Sequence, residues 1–231
     1  MKILQSIKNN IPNAITCLNL FSGAMACVYA LKGNNLYGEF TGYEIAFAFI
    51  VIAAAFDFCD GLVARMLNTV SSIGKELDSL SDCVSFGLAP AMLVYTLMEE
   101  FNPGSACNYL AFLIAIFGAL RLAKFNVDTT QTVSFKGMPI PANAIFWIGY
   151  VNFSLERGAV DHEIYLLIAL MCYFMVSSIP MFSFKMKDFG IKKNWHRYAL
   201  VASTIAFVGF FGITGLFYAV TAYIFLSLIK K

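Results

Sequence analysis

Four aspartates, Asp57, Asp60, Asp78 and Asp82, fall within the stretch DFCDGLVARMLNTVSSIGKELDSLSD, with Gly61, Ala64, Arg65 and Gly74 between them. Carboxylates at this density hold cations or move protons. Helical spacing sorts them. Asp57, Asp60, Gly61 and Ala64 share one helix face, and Gly74, Asp78 and Asp82 step by four along the next, continued by Ser85 and Phe86. The short linker Met66–Ile73 makes the two helices antiparallel neighbours, so their acidic faces converge. Four carboxylates repel one another, and Arg65 alone does not offset them. Oxygen ligands suit Mg²⁺ or Mn²⁺, and four carboxylates from two helices can hold a pair of ions, as in two-metal phosphate chemistry. Gly61, Ala64 and Gly74 leave room for a phosphate or a flat group on that face. The plainer use of such small residues is tight helix packing.

The surroundings of this stretch are apolar. The chain is 59% hydrophobic and 13% charged, whereas a soluble domain averages about 25% charged. The expected fold is an all-α polytopic membrane protein, because a spanning backbone must satisfy its hydrogen bonds internally. The apolar runs are continuous rather than alternating, which argues against a barrel. A net charge of +2 gives no reason to expect nucleic acid. The cysteines are scattered without a CxxC pair, so zinc and disulfide frameworks are not indicated.

Eight spans are expected, near 13–31, 43–66, 75–98, 107–125, 140–155, 160–182, 197–212 and 215–230, the last two being one helix or two. Pro12-Asn13 reads as the start of the first span, taken as a retained helix rather than a cleaved signal. With both termini in the cytoplasm, all of the 16 Lys and Arg except Lys32 and Arg157 lie on the cytoplasmic side, including the basic segment Lys185–Arg197. The same topology puts the four aspartates at the cytoplasmic end of the second and third spans.

The pattern Asp57-x2-Asp60-Gly61-x2-Ala64-Arg65-x8-Gly74-x3-Asp78-x3-Asp82 resembles, without a departure, the signature of the CDP-alcohol phosphatidyltransferases. The resemblance implies a membrane enzyme that moves a phosphatidyl group from CDP-diacylglycerol to an alcohol and releases CMP. It implies that Asp57, Asp60 and Asp78 bind metal, two ions of Mg²⁺ or Mn²⁺, and hold the nucleotide diphosphate. Asp82 is then the expected general base and a further metal ligand. Gly61, Ala64, Arg65 and Gly74 line the nucleotide site, joined by Asn13 and Thr16 of an N-terminal Pro-Asn-x-x-Thr element.

The segments ELDSLSDCVSFGLAPA (76–91), RLAKFN (121–126) and KGMPIPANA (136–144) are similar to the membrane-embedded phosphatidylserine synthase branch, which implies L-serine as acceptor. The carboxylate of serine needs a cation, for which Arg121, Lys124 and Lys136 are candidates, with Ser85 and Asn126 as polar contacts. The resemblance covers a catalytic core of residues 12–145, with 146–231 as further helices of one membrane domain, and implies a homodimer. Two rival readings stand beside it. A sister enzyme would take glycerol 3-phosphate or inositol phosphate, acceptors that need a denser basic pocket. A cation transporter would explain intramembrane acids, but the motif has no inverted repeat in the second half.

Overall fold

The computed structural model describes residues 2–69, 71–128, 135–182 and 190–229. Lys185, Lys187, Lys230 and Lys231, part of the expected cytoplasmic charge, lie outside these residues.

Helix α1 (Lys2–Ala30) and helix α2 (Gly42–Leu67) form an antiparallel pair joined by a two-stranded turn, β1 (Leu36–Tyr37) with β2 (Phe40–Thr41). A capping box starts α2: the Thr41 side chain accepts from the Glu44 N–H, and the Glu44 carboxylate accepts from the Thr41 N–H at 2.8 Å. Asn68, in the left-handed region at φ 50°, ends it. Ser71 then accepts from the Gly74 N–H at 3.0 Å and starts α3 (Ser72–Asp82). This helix continues through a π-helical stretch, Cys83–Leu88, into α4 (Ala89–Phe101). After a 3₁₀ segment (Ala106–Phe112) come α5 (Leu113–Val127), β3 (Phe135–Lys136), α6 (Ile140–Arg157), α7 (Glu163–Val176), β4 (Pro180–Met181), α8 (Ile191–Phe211) and α9 (Gly215–Ile229).

The pattern of exposure is that of a protein whose solvent is lipid. Phe58, Leu80, Ile205 and Phe210 are 64–85% exposed, while Asn19, Ser81, Ser85 and Asn143 are fully buried. In water such a distribution would be inverted. Among the described residues, five stretches are long and apolar enough to cross a bilayer: Asn10–Ala30, Gly42–Leu67, Ser72–Phe101, Ala106–Val127 and Lys193–Ile229. The chain is thus a helical integral membrane protein.

Each of the eight segments expected from the apolar runs overlaps a helical body among the described residues, with three adjustments. First, α1 runs through Pro12 instead of starting there. Proline removes a single backbone donor, and the following turns are held by packing on α2 and α3. Second, the sixth segment is helical only over Glu163–Val176, because the chain beyond it is drawn into an antiparallel pair, Phe135 with Met181 and Lys136 with Pro180. Third, the last stretch is two helices. A continuous helix would hold residues 207 and 218 about 16 Å apart, but the Phe207 and Tyr218 rings are 5.8 Å apart and those of Phe211 and Tyr218 are 5.2 Å apart. The turn at Gly212–Thr214 therefore folds α9 back along α8.

The core lies where α6 meets α9 and where α1–α4 converge. Trp147, Tyr43, Tyr150 and Phe86 are its largest fully buried side chains. Phe146, Tyr150, Phe153 and Phe217 stack between α6 and α9 with ring separations of 5.1–5.9 Å from Phe217. The backbones approach closely at Gly149, where a Cβ would stand 2.2 Å from the Phe217 nitrogen. Gly149→Ala is expected to force these helices apart at a cost of about 1–3 kcal/mol, lowering the thermal midpoint in detergent by about 2–12 °C. An unchanged midpoint would show that this contact is soft.

Candidate active site

The C-terminal half of α2, helix α3 and the middle of α1 meet at the site. Asp57 and Asp60 come from α2, and Asp78 and Asp82 from α3. One carboxylate oxygen each of Asp57, Asp60 and Asp78 lies within 4.8 Å of the other two. Among the described residues none of these three is ion-paired with a lysine or arginine. At that separation two unit charges repel by about 3 kcal/mol in a partly shielded protein environment. Three hard oxygen donors this close, unpaired with any lysine or arginine among the described residues, fit a divalent ion.

Helix α1 orients the acids from above. The Thr16 hydroxyl donates to Asp60 Oδ2 at 2.6 Å, and the backbone oxygen of Thr16 accepts from the Ser81 hydroxyl at 3.2 Å. One turn along, the Asn19 amide donates to Asp82 Oδ1 at 3.3 Å. Asp82 stands apart from the three-carboxylate group, one turn further along α3, and is about nine-tenths buried. The π-helical stretch begins at the next residue; such wide turns recur at functional sites.

The residues expected to meet the nucleotide gather here. Gly61 faces open space, with no heavy atom within 4 Å of a would-be Cβ. At Gly74 a Cβ would stand 2.9 Å from Asn13 Oδ1, so α1 and α3 touch through this pair. Ala64 lies half-buried one turn beyond Asp60. Arg65 is exposed, and its Nε donates to the Gly61 carbonyl at 2.9 Å, laying the side chain back along α2.

The residues expected to meet the acceptor separate into two groups. Arg121 is buried at 6% exposure, within electrostatic range of Asp82. Its Nε donates to the Met138 carbonyl at 3.1 Å, and its guanidinium lies over the Phe125 ring at 4.9 Å. The KGMPIPANA segment builds this brace. Gly137 adopts φ +77°, a conformation open to glycine, and its N–H and that of Met138 donate to Ile179 and Phe174. The Met138 carbonyl is thereby fixed for Arg121. Asn126 donates to the Ser79 hydroxyl at 2.8 Å, and Lys75 donates to the Asn126 carbonyl at 3.1 Å, tying α5 to α3. Lys124 instead donates to the Val176 carbonyl at the end of α7, Lys136 pairs with Asp128 at 3.0 Å, and both lysines are exposed. Ser85 is fully buried, and its hydroxyl donates to Asn19.

Sequence reasoning missed Asn19. The signal was present: Asn13, Thr16 and Asn19 recur every three residues on α1, so the polar face of Pro-Asn-x-x-Thr extends one turn further.

A family model described as CDP-alcohol phosphatidyltransferase matches residues 9–179. The chain is 33% identical over 189 residues to a Helicobacter pylori protein named CDP-diacylglycerol–serine O-phosphatidyltransferase, covering 78% of this chain and 75% of that protein. It is similar to a Bacillus subtilis protein of the same name, 41% identical over 135 residues, 58% of this chain and 70% of the relative. A Methanocaldococcus jannaschii protein, again of that name, is 34% identical over 169 residues, 73% of this chain and 72% of the relative.

Proposed function

The chain belongs to the CDP-alcohol phosphatidyltransferase family, and from that premise we propose that it transfers the phosphatidyl group of CDP-diacylglycerol to the hydroxyl of L-serine, giving phosphatidylserine and CMP. The observation that carries the reading is the group of Asp57, Asp60 and Asp78 with Asp82 one turn away. The relatives named for this reaction, which match 58–78% of this chain, support serine as the acceptor.

Asp57, Asp60 and Asp78 would hold divalent metal, which when bound neutralises the diphosphate and the departing phosphate. Mg²⁺ or Mn²⁺, as a pair of ions, is the proposed complement. Thr16 keeps the Asp60 carboxylate aimed into the site. Gly61, Ala64, Gly74, Asn13 and Arg65 shape the wall for the cytidine nucleotide. Asp82, outside the three-carboxylate group, is the general base. It takes the serine hydroxyl proton as the serine oxygen forms a bond to the phosphorus that carries diacylglycerol. The bond from that phosphorus to the bridging oxygen breaks, and CMP leaves with the electron pair. Holding both partners in line supplies much of the rate.

Arg121 is assigned to the serine carboxylate, because it is a buried cation within electrostatic range of Asp82. Asn126 supports the floor of the acceptor site, and Ser85, the weaker of these two candidates, is turned toward Asn19. Lys124 and Lys136 are the lesser candidates, given their contacts with Val176 and Asp128.

The eight helical bodies are proposed to span the membrane with both termini and the aspartates on the cytoplasmic face, in a prokaryotic plasma membrane and as a homodimer. Residues 12–145 form the catalytic core. A water-soluble amino acid then reaches a lipid-anchored nucleotide at the membrane surface.

An acceptor panel tests the assignment. With CDP-diacylglycerol and Mn²⁺ or Mg²⁺, L-serine is expected to yield lipid product, and glycerol 3-phosphate and inositol phosphate are not. Product from glycerol 3-phosphate and none from serine would overturn it.

A further inference from the structure

We propose that Asn19 is a positioning residue for Asp82, and that Ser85 acts by orienting Asn19. The inference rests on the reading of Asp82 as general base. Asn19 is fully buried in α1, where an amide without partners is costly. Both its ends are engaged. The Ser85 hydroxyl lies 2.7 Å from Asn19 Oδ1, and Asn19 Nδ2 lies 3.3 Å from Asp82 Oδ1. Chemistry fixes the direction of this chain. A carboxylate only accepts, so the NH₂ end must face Asp82; this leaves the amide oxygen toward Ser85, whose hydroxyl donates to it at 2.7 Å and also lies 3.1 Å from the Asn19 backbone oxygen. The reversed amide would set oxygen against oxygen at Asp82. One oxygen of the base is thus held, leaving Oδ2 for the incoming proton.

The backbone is arranged to permit this. A Cβ at residue 23 would stand 2.2 Å from Ser85 Oγ, so Gly23 lets α1 close onto the π-helical stretch that carries Ser85. Thr16 and Asn19, three residues apart on α1, then reach one acid from each of the two acidic helices, Asp60 and Asp82. The same helix face therefore sets both the metal-facing group and the proton acceptor.

The test is a mutant cycle in detergent-purified protein: Asn19→Ala, Ser85→Ala and the double variant, each assayed for kcat with serine and for CDP-diacylglycerol affinity. Asn19→Ala is expected to lower kcat about tenfold or more, the scale typical of supporting residues, with CDP-diacylglycerol affinity unchanged. Ser85→Ala should show a smaller loss, and the double variant should be no worse than Asn19→Ala, because Ser85 works through Asn19. A purely structural role would lower affinity and kcat together. Unchanged kcat in Asn19→Ala, or losses that multiply in the double variant, would overturn the proposal. If Asn19→Ala is not recovered folded, Ser85→Ala decides: reduced kcat at intact affinity supports the proposal, and unchanged kcat overturns it. Asp82→Asn in the same assay separates the two ideas. An inactive Asp82→Asn beside a fully active Asn19→Ala removes only the positioning role. An active Asp82→Asn removes the base and this inference with it.

Discussion

Asp82→Asn is expected to lower kcat by at least about a hundredfold, the usual scale for loss of a general base, while leaving CDP-diacylglycerol affinity nearly unchanged. The reason lies in its surroundings. The carboxylate is buried, stands outside the group formed by Asp57, Asp60 and Asp78, and is met by the Asn19 amide. An asparagine side chain has the same shape, and its oxygen still accepts from Asn19, so the site should keep its geometry. What is lost is the ability to take a proton from the serine hydroxyl. Isothermal or fluorescence titration with CDP-diacylglycerol, set beside steady-state rates, reads both quantities. Near-normal turnover would remove Asp82 from the role of base.

Asp78→Asn should fail differently. It removes one of three mutually close carboxylates, so the site would exchange an anionic oxygen donor for a neutral one and lose a unit of negative charge. The expected result is a loss of about a thousandfold in kcat/KM, since metal stabilisation of developing phosphate charge is worth several kcal/mol. Metal demand should rise in parallel, so that part of the activity returns at high Mn²⁺. A chelator should abolish activity of the unmodified protein, and added metal should restore it. A variant with lowered kcat but an unchanged metal titration would show that Asp78 does not serve the cation site. Asp60→Asn is expected to resemble Asp78→Asn, with the further loss of the charge-assisted hydrogen bond from Thr16.

These contrasting outcomes follow from a distinction that the sequence carries only in part. Helix periodicity was enough to place Asp57 and Asp60 opposite Asp78, because the i, i+3, i+4 rule is local and the linker is short. It could not tell Asp82 from Asp78, which share a face four residues apart. That difference comes from α1, whose Asn19 and Thr16 reach different acids across sequence separations of 63 and 44 residues. Arg121 was legible as a cation near the site, but its burial depends on the Met138 carbonyl, set by the turn at Gly137 and the pairing of β3 with β4. Two-residue strands leave no periodic signal, so the apolar run 160–182 reads as one span although only Glu163–Val176 is helical. The α8–α9 hairpin was ambiguous for a related reason. Its break is a three-residue turn inside an unbroken apolar run, and hydropathy does not register a reversal of direction.

The most direct test follows the serine oxygen. Purified protein would be supplied with CDP-diacylglycerol, divalent metal and L-serine carrying ¹⁸O in its hydroxyl. CMP and phosphatidylserine are expected in equal amounts, with all of the label in the lipid, because the serine oxygen forms the new bond to phosphorus. CMP release that does not depend on serine, or label appearing in CMP, would contradict the account.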